Sequence, residues 1–255
     1  DGAARDAFGL LARGDQVVVL NRETGRIIGA AGGLVVTAGT ADISNDGVIS
    51  GDTGNGVTVF ADEAGLANGG QIVSEDGDGA VISADTIEVV NAEGGMIIAA
   101  GAGLAASGGM VTVDNQGLIV TGLTGVASAR SAIVVDAATA LVTNGRGAVA
   151  LGDPGGIQVT ATDSAVVRND GFSTGVEIHG GDDAVLENGA DGAIVSAIYN
   201  GVHAGGRVSV DNAGLLRGID GGLGIGLPGE VPDAADVVNR ETGRIIGAAG
   251  GLVVT

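Results

Sequence analysis

The sequence lacks cysteine, lysine and tryptophan altogether, and only 2% of its 255 residues are aromatic. Without cysteine the chain has no disulfides and no thiolate chemistry, and its redox compartment stays open. Without aromatic rings it cannot fill a conventional globular core with bulky side chains. It has only three prolines, and its glycines follow no three-residue period, which excludes a collagen-type triple helix.

Positive charge is also scarce. All 11 basic residues are arginine, and the formal net charge is -20. Nucleic-acid binding requires clustered cations that release counterions from phosphate, and no such cluster occurs. An anionic membrane surface is disfavoured for the same reason. The uncharged window 94–113 is rich in glycine and alanine and carries strand repeats, so we expect no membrane insertion of this segment.

What the chain does have is small and apolar. It contains 51 glycines, and hydrophobic residues make up 45% of it. A disordered chain does not carry this much apolar surface in water. Many small side chains must therefore be buried in a narrow and regular space, as they are inside a solenoid.

An asparagine signal recurs about every 24 residues, at spacings of 19 to 29. Each asparagine is followed, after one to three residues, by glycine, any residue and a column position that is apolar except at Ser173. The asparagines are Asn21, Asn45, Asn68, Asn91, Asn115, Asn144, Asn169, Asn188, Asn212 and Asn239. The column positions are Ile27, Ile49, Ile72, Ile97, Ile119, Val149, Ser173, Ile194, Leu216 and Ile245.

The shortest unit, 169–188, shows what one repeat contains. Its apolar residues predict three short strands, around Phe172, over 176–178 and over 184–186. We therefore predict one all-β domain over 1–255, a right-handed parallel β-helix of about ten rungs with three short strands each, where a rung is one turn of the solenoid. A β-sandwich or propeller is the alternative, and a helical bundle fits the glycine pattern poorly.

Stacking assigns a role to each repeated residue. The isoleucines at the column positions should form one inward stack, and the asparagines should form a ladder of side-chain amides along one corner. These isoleucines are Ile27, Ile49, Ile72, Ile97, Ile119, Ile194 and Ile245. The glycine that follows each asparagine should supply a positive φ at the corner.

The repeat Asn-x-Gly-x-Ile followed by Gly-Leu or Gly-Val resembles the passenger region of bacterial autotransporters. It is also similar to filamentous-haemagglutinin-like exoproteins. The resemblance covers essentially the whole chain, and its motif is more specific for architecture than for activity. It implies a right-handed β-helix exported to the cell surface of a Gram-negative bacterium, with a role in adhesion or matrix.

We accordingly expect a non-catalytic, extracellular structural or adhesive protein, a rod or filament segment at the cell surface or in a biofilm matrix. Its expected partners are itself, by end-to-end β-stacking or as a continuation of the same chain, and molecules on host or neighbouring cells. The alternative is a carbohydrate-active enzyme, a polysaccharide lyase or hydrolase with this fold, which would need a cleft with paired carboxylates and stacking aromatics.

A longer period overlies the rungs. Residues 21–37 and 239–255 are identical over 17 positions, at an offset of 218 residues. This identity predicts a tandem unit of about 218 residues, with a local duplication as the alternative. The chain would then hold one unit plus overlap, cut from a longer chain or filament.

The sequence predicts no catalytic residue and no cofactor. The candidates for calcium are Asp52, Glu75, Asp76 and Asp78, carboxylates in stacked glycine-rich turns, with a solvated acidic turn as the simpler interpretation.

The only two histidines, His179 and His203, are one rung apart. Both should point outward beside Glu177 on an exposed polar face, with Asp182, Asp183 and Tyr199 in nearby turns. Three such side chains would also suit a metal or catalytic site, but an ordinary polar face is the simpler interpretation.

Overall fold

The computed structural model describes residues 7–122, 130–197, 200–226, 231–248 and 250–254. Within these ranges the chain forms strands and no helix. The strands are β1 (Phe8–Asn21), β2 (Arg26–Gly29), β3 (Gly32–Asn45), β4 (Val48–Gly51), β5 (Val57–Phe60), β6 (Glu63–Asn68), β7 (Gln71–Ser74), β8 (Ala80–Asn91), β9 (Met96–Ala99), β10 (Leu104–Asn115), β11 (Leu118–Thr121), β12 (Ile133–Asn144), β13 (Val149–Leu151), β14 (Ile157–Asn169), β15 (Phe172–Ser173), β16 (Val176–Gly180), β17 (Asp183–Asn188), β18 (Ala193–Ser196), β19 (Gly201–Ala204), β20 (Arg207–Asn212), β21 (Leu215–Gly218), β22 (Gly221–Ile225), β23 (Ala234–Asn239), β24 (Arg244–Gly247) and β25 (Gly250–Val254).

The strands form two long parallel sheets that run along a solenoid. The smaller sheet stacks ten short strands in the order β2-β4-β7-β9-β11-β13-β15-β18-β21-β24. The larger sheet has 15 strands, from β1 through β3, β8, β10, β12 and β14 to β25. Neighbouring strands lie one repeat apart in sequence, so each rung hydrogen-bonds to the rung before and the rung after it. The prediction of an all-β parallel solenoid with a period of about 24 residues is confirmed.

Each rung consists of one short strand in the smaller sheet and two segments in the larger sheet. In the shortest repeat these are the three separate strands β15, β16 and β17, as the sequence predicts. In β8, β10 and β12 the second and third segments are continuous and form one strand of 12 residues. The larger sheet is therefore continuous in some rungs and interrupted by a short turn in others.

The column residues of the smaller sheet lie directly above one another. Ile49 pairs with Ile72, and the register continues through Ile97 to Ile119. These four side chains are fully buried. Ile27 and Ile245, on the first and last rungs described, are partly buried and pack against the same core.

One of the positions counted from the repeat glycine, Val149, does not lie in the column. Ile119 pairs with Ala150, which is fully buried, and Val149 pairs with Leu118 instead. The physical reason is that the corner has two lengths, with the column residue either four or six residues after the asparagine. The Asn144 corner is a long one.

In the Asn144 corner an alanine takes the place of the usual glycine. The N–H of Ala148 donates to the carbonyl of Gly145 at 3.0 Å, just as Gly95 donates to Ala92 at 2.8 Å in another long corner. Gly147 comes one residue earlier, at φ +78°. Counting two residues from Gly147 therefore gives a position one short of the column.

The prediction that corner glycines supply positive φ is wrong for most of them. The glycines with positive φ in the described ranges are Gly94, Gly122, Gly147, Gly175 and Gly226. At Gly47, Gly70 and Gly117 the backbone is ordinary, but a Cβ atom would overlap the carbonyl oxygen of the corner in the preceding rung. Close approach of stacked corners therefore requires glycine at these positions.

Ser173 is the polar residue in the column, and its hydroxyl is satisfied locally. The side chain is fully buried, and Oγ donates to the carbonyl of Gly175 at 2.8 Å. Gly175 adopts φ +134°, a conformation that a residue with a side chain rarely takes. The core therefore accommodates a serine here, because its hydroxyl is hydrogen-bonded within its own turn.

The ten asparagines form one unbroken ladder along the corner. The Nδ2 amide of each donates to Oδ1 of the next, over nine bonds of 2.7 to 2.9 Å. Asn21 through Asn212 are buried, whereas Asn239 is exposed. The amide nitrogens also bond backbone carbonyls, as Asn45 does to Gln71 at 3.1 Å. Most of the ladder is thus a buried and fully bonded polar network.

The 17-residue duplication occupies equivalent places at the two ends. The first copy contains β2 and the start of β3, and the second contains β24 and β25 with the same strand starts relative to the repeat. Nine steps of the smaller sheet separate β2 from β24. The offset of 218 residues therefore corresponds to nine whole rungs. The tandem unit itself stays a prediction.

Breaking the ladder in its interior should cost more than breaking it at its end. Asn115→Ala removes one bond to Asn144 and one from Asn91, leaving buried amide groups unpaired. We expect a loss of about 2–5 kcal/mol in unfolding free energy. Asn239→Ala, at the exposed last position, should cost less than about 1 kcal/mol. Urea denaturation midpoints measure both, and equal losses would contradict the cooperative ladder.

A methyl group at a stacked corner should be poorly tolerated. Gly117→Ala places a Cβ against the carbonyl of Gly95, so the rungs must separate locally, and we expect a loss of about 1–3 kcal/mol. Gly14→Ala is the matched control, because its Cβ would meet only ordinary contacts, the nearest at 3.6 Å. Thermal unfolding followed by circular dichroism compares the two. A control as destabilised as Gly117→Ala would exclude the steric explanation.

Candidate functional site

The candidate site lies on the outer face of the larger sheet, where β16 and β19 stack. Side chains alternate along β16, so Glu177 and His179 point outward on either side of the buried core residue Ile178. The parallel register places His203 of β19 directly beside His179. Two consecutive rungs thus bring one carboxylate and two imidazoles together, as the 24-residue spacing predicts.

The three side chains are in close contact. Nε2 of His179 lies 3.0 Å from Oε1 of Glu177. The rings of His179 and His203 have centroids 4.9 Å apart and are tilted by 34°. One ligand atom from each of the three residues lies within 4.8 Å of the other two. Among the residues that the structure describes, no other group of three histidine, aspartate or glutamate side chains brings its ligand atoms this close together.

His203 departs from the sequence-based expectation. It was predicted to lie on an exposed face, but it is only 4% exposed. The side chains of His179 and Glu177 keep exposures of 30% and 44%. The ring of His203 is covered on one side by His179 and lies over Gly201, where an added Cβ would approach Nε2 to 2.6 Å. Burial of His203 therefore depends on the absence of a side chain at Gly201, two residues earlier on the same strand.

The electrostatics of the cluster favour an ionised carboxylate. The hydrogen bond from His179 holds the pKa of Glu177 below its ordinary value of 4.5, and partial burial opposes this shift. The charges of His179 and His203, when protonated, lower the same pKa further. Glu177 is therefore an anion at neutral pH.

A shallow cavity lies beside Glu177. It has a volume of about 230 Å³ and is lined by Glu177, Gly201, Ser131 and Ser196, among others. In the preceding rung, Gln158 is the register partner of Glu177 and Thr160 is that of His179. Both neighbours are uncharged, so no cation competes for Glu177 from these register positions.

The other residues predicted near this face do not join the cluster. Asp182 and Asp183 are exposed at the turn into β17, and the backbone of Asp182 pairs with those of Asp163 and Arg207. Tyr199 lies outside the described residues. Sequence reasoning missed Gly201, although its position one rung from Glu177 was a readable signal.

One of the four carboxylates predicted for calcium, that of Asp78, has a structural role. Oδ1 of Asp78 accepts a hydrogen bond from the N–H of Ala102 at 2.7 Å, so it caps the turn in the next rung. Asp52, Glu75 and Asp76 are exposed, and Asp76 stacks one rung from Asp52 through their backbones. Calcium binding here stays a prediction.

Comparisons with known proteins returned nothing that assigns the chain to a family. No family model matches it, and no curated protein and no solved structure matches it. In the described ranges there is also no helix with the length and apolar character needed to cross a membrane.

The Glu177–His179 contact should make stability depend on pH in one direction. Because the folded-state pKa of Glu177 is lowered, its contribution is present above the ordinary value and is lost as the pH falls through the folded value. Glu177→Gln should therefore be less stable than the parent chain near about pH 5.5, by less than about 1 kcal/mol because the site is half exposed, and this difference should be smaller near about pH 3.

Urea midpoints at the two pH values measure this difference. Glu88→Gln is the matched control for loss of one carboxylate, because Glu88 is an exposed residue of β8 in the same sheet. A difference between parent and Glu177→Gln that does not change with pH would contradict the assignment.

Proposed function

We propose that this chain is a structural rod, a non-catalytic segment of an extracellular filament or stalk at the surface or in the matrix of a bacterium. The observation that carries the proposal is the unbroken stack of ten rungs, joined by the asparagine ladder from Asn21 to Asn239. The smaller sheet stacks all ten of its described strands in order, and the larger sheet shifts its register once within β12, between Ala137 and Thr139. A uniform stack of this kind is suited to spanning a distance.

The charge of the chain supports a role in spacing or display. Acidic residues outnumber basic ones by 31 to 11, and the resulting net charge of -20 keeps an elongated strand-rich body apart from its neighbours in solution. The described aromatic residues lie on different strands, with Phe8 and Phe60 in the larger sheet and Phe172 in the smaller one. They do not form the row of stacking platforms that a polysaccharide cleft uses.

Assembly by end-to-end stacking is part of the proposal. In the described ranges β1 pairs with β3 but with no strand on its other edge, and β25 likewise pairs with β22 alone. Leu10 lies in register with the core residue Leu34, yet it is 38% exposed. A second copy stacked on this edge, or a continuation of the same chain, would satisfy the open backbone groups and bury such residues.

Electron microscopy of the purified chain tests the proposal. Ten rungs at the inter-strand spacing predict a rod about 48 Å long, and stacked copies should give longer rods in steps of about that length. Sedimentation velocity at increasing concentration should show the same growth.

Two variants on one strand separate stacking from unspecific association. Leu10→Glu puts a charge where the stack would bury it, so rods should stay single. Val18→Glu is the matched control, because Val18 is 59% exposed and points outward, so growth should persist. Monodisperse single rods of the parent chain would contradict self-stacking. Release of reducing ends from acidic polysaccharides would contradict the non-catalytic assignment.

A further inference from the structure

We propose that Glu177, His179 and His203 form a binding site for a divalent transition-metal ion, with Zn²⁺ as the best fit. The site would join two consecutive rungs through β16 and β19. It goes beyond the structural role proposed above, because a rod has no need of a metal on the outer face of its larger sheet. The argument rests on donor chemistry, geometry and burial.

The donor set is suited to zinc. Two neutral imidazoles and one carboxylate are ligands of borderline softness, and three such protein ligands are a common zinc set. Calcium and magnesium prefer oxygen ligands throughout, so the two imidazoles disfavour them.

The geometry is close to that of a bound ion. Ligand atoms around tetrahedral zinc, each about 2.0–2.1 Å from the ion, lie about 3.4 Å from one another. The separation of 3.0 Å between Glu177 and His179 is near that value. The ligand atom of His203 lies within 4.8 Å of both. A small rotation of the partly exposed Glu177 and His179 side chains would bring the three ligand atoms to the separation that zinc requires.

The backbone fixes the ligands before any ion binds. Glu177 and His179 are two residues apart on one strand, and His203 is the register partner of His179. Gly201, the register partner of Glu177, leaves the space that the ring of His203 enters. His203 is also more than nine-tenths buried, which restricts its rotamers and places the site on a rigid element.

The arrangement leaves one coordination position open. Three protein ligands occupy three of the four tetrahedral positions, which leaves the fourth position for another ligand. Water would fill that position in the isolated chain. A histidine or carboxylate from a neighbouring molecule would be able to replace it, which would turn the site into a cross-link between rods.

Titration of the metal-free chain with ZnCl₂ tests the site, in an excess of Mg²⁺ that occupies weak carboxylate sites. Isothermal calorimetry should give one Zn²⁺ per chain. The sequence contains only two histidines, so the imidazole ¹⁵N signals report on this site alone. Both should shift on binding, and Co²⁺ should give the visible absorption of a four-coordinate ion.

Variants then identify the ligands. His179→Gln should weaken Zn²⁺ binding by about 100-fold or more, at least the upper end of the loss seen for outer-shell partners. Glu177→Gln should also weaken it, and Glu88→Gln, an exposed glutamate of the same sheet, should leave it unchanged.

The proposal stays falsifiable even if one variant fails to fold, because the parent chain supplies its own measurement. Unshifted histidine signals at saturating Zn²⁺ would overturn it, since binding would then be to surface carboxylates only. Equal affinities for the parent, Glu177→Gln and Glu88→Gln chains would overturn it as well. Circular dichroism spectra of each variant establish that it is folded before its affinity is compared.

Discussion

The constraint on which the whole molecule depends is the vertical register of one rung on the next. Parallel strands about 4.8 Å apart place every residue on top of its equivalent one repeat away. Like residues must therefore tolerate like neighbours. Isoleucine packs on isoleucine, and asparagine bonds to asparagine because its amide carries both a donor and an acceptor. Residues without this self-complementarity have little place in the interior.

The same constraint explains where glycine is needed. At the corners the chain turns, and an added Cβ would meet backbone carbonyl oxygens of the neighbouring rung. At Gly117 the limiting atom is the oxygen of Gly95 in the rung before, not a backbone angle. Part of the glycine content is therefore a consequence of stacking turns on turns, although the long corner at Asn144 has an alanine, Ala148, at the equivalent place.

Much of the fold could be predicted from the sequence because stacked rungs repeat the same kind of residue at equivalent positions. The ladder from Asn21 to Asn239 and the column around Ile97 follow from spacing alone. The slip at Val149 occurred because a motif counted from glycine cannot distinguish the two corner lengths. For the site, alternation predicted that Glu177 and His179 face outward together. The burial of His203 was not predictable, since it depends on how a ring settles over Gly201.

The duplicated segment has a consequence for recognition by other molecules. Its two copies begin at Asn21 and Asn239, at the same place in rungs nine steps apart, so two patches of the same outward-facing sequence lie about 43 Å apart along the solenoid axis. A receptor with two arms of that span would gain from the high effective concentration of the second patch once the first is engaged. A receptor with a shorter reach would engage only one patch. The solenoid would in this way bind more tightly to receptors whose two binding sites match the spacing of the patches.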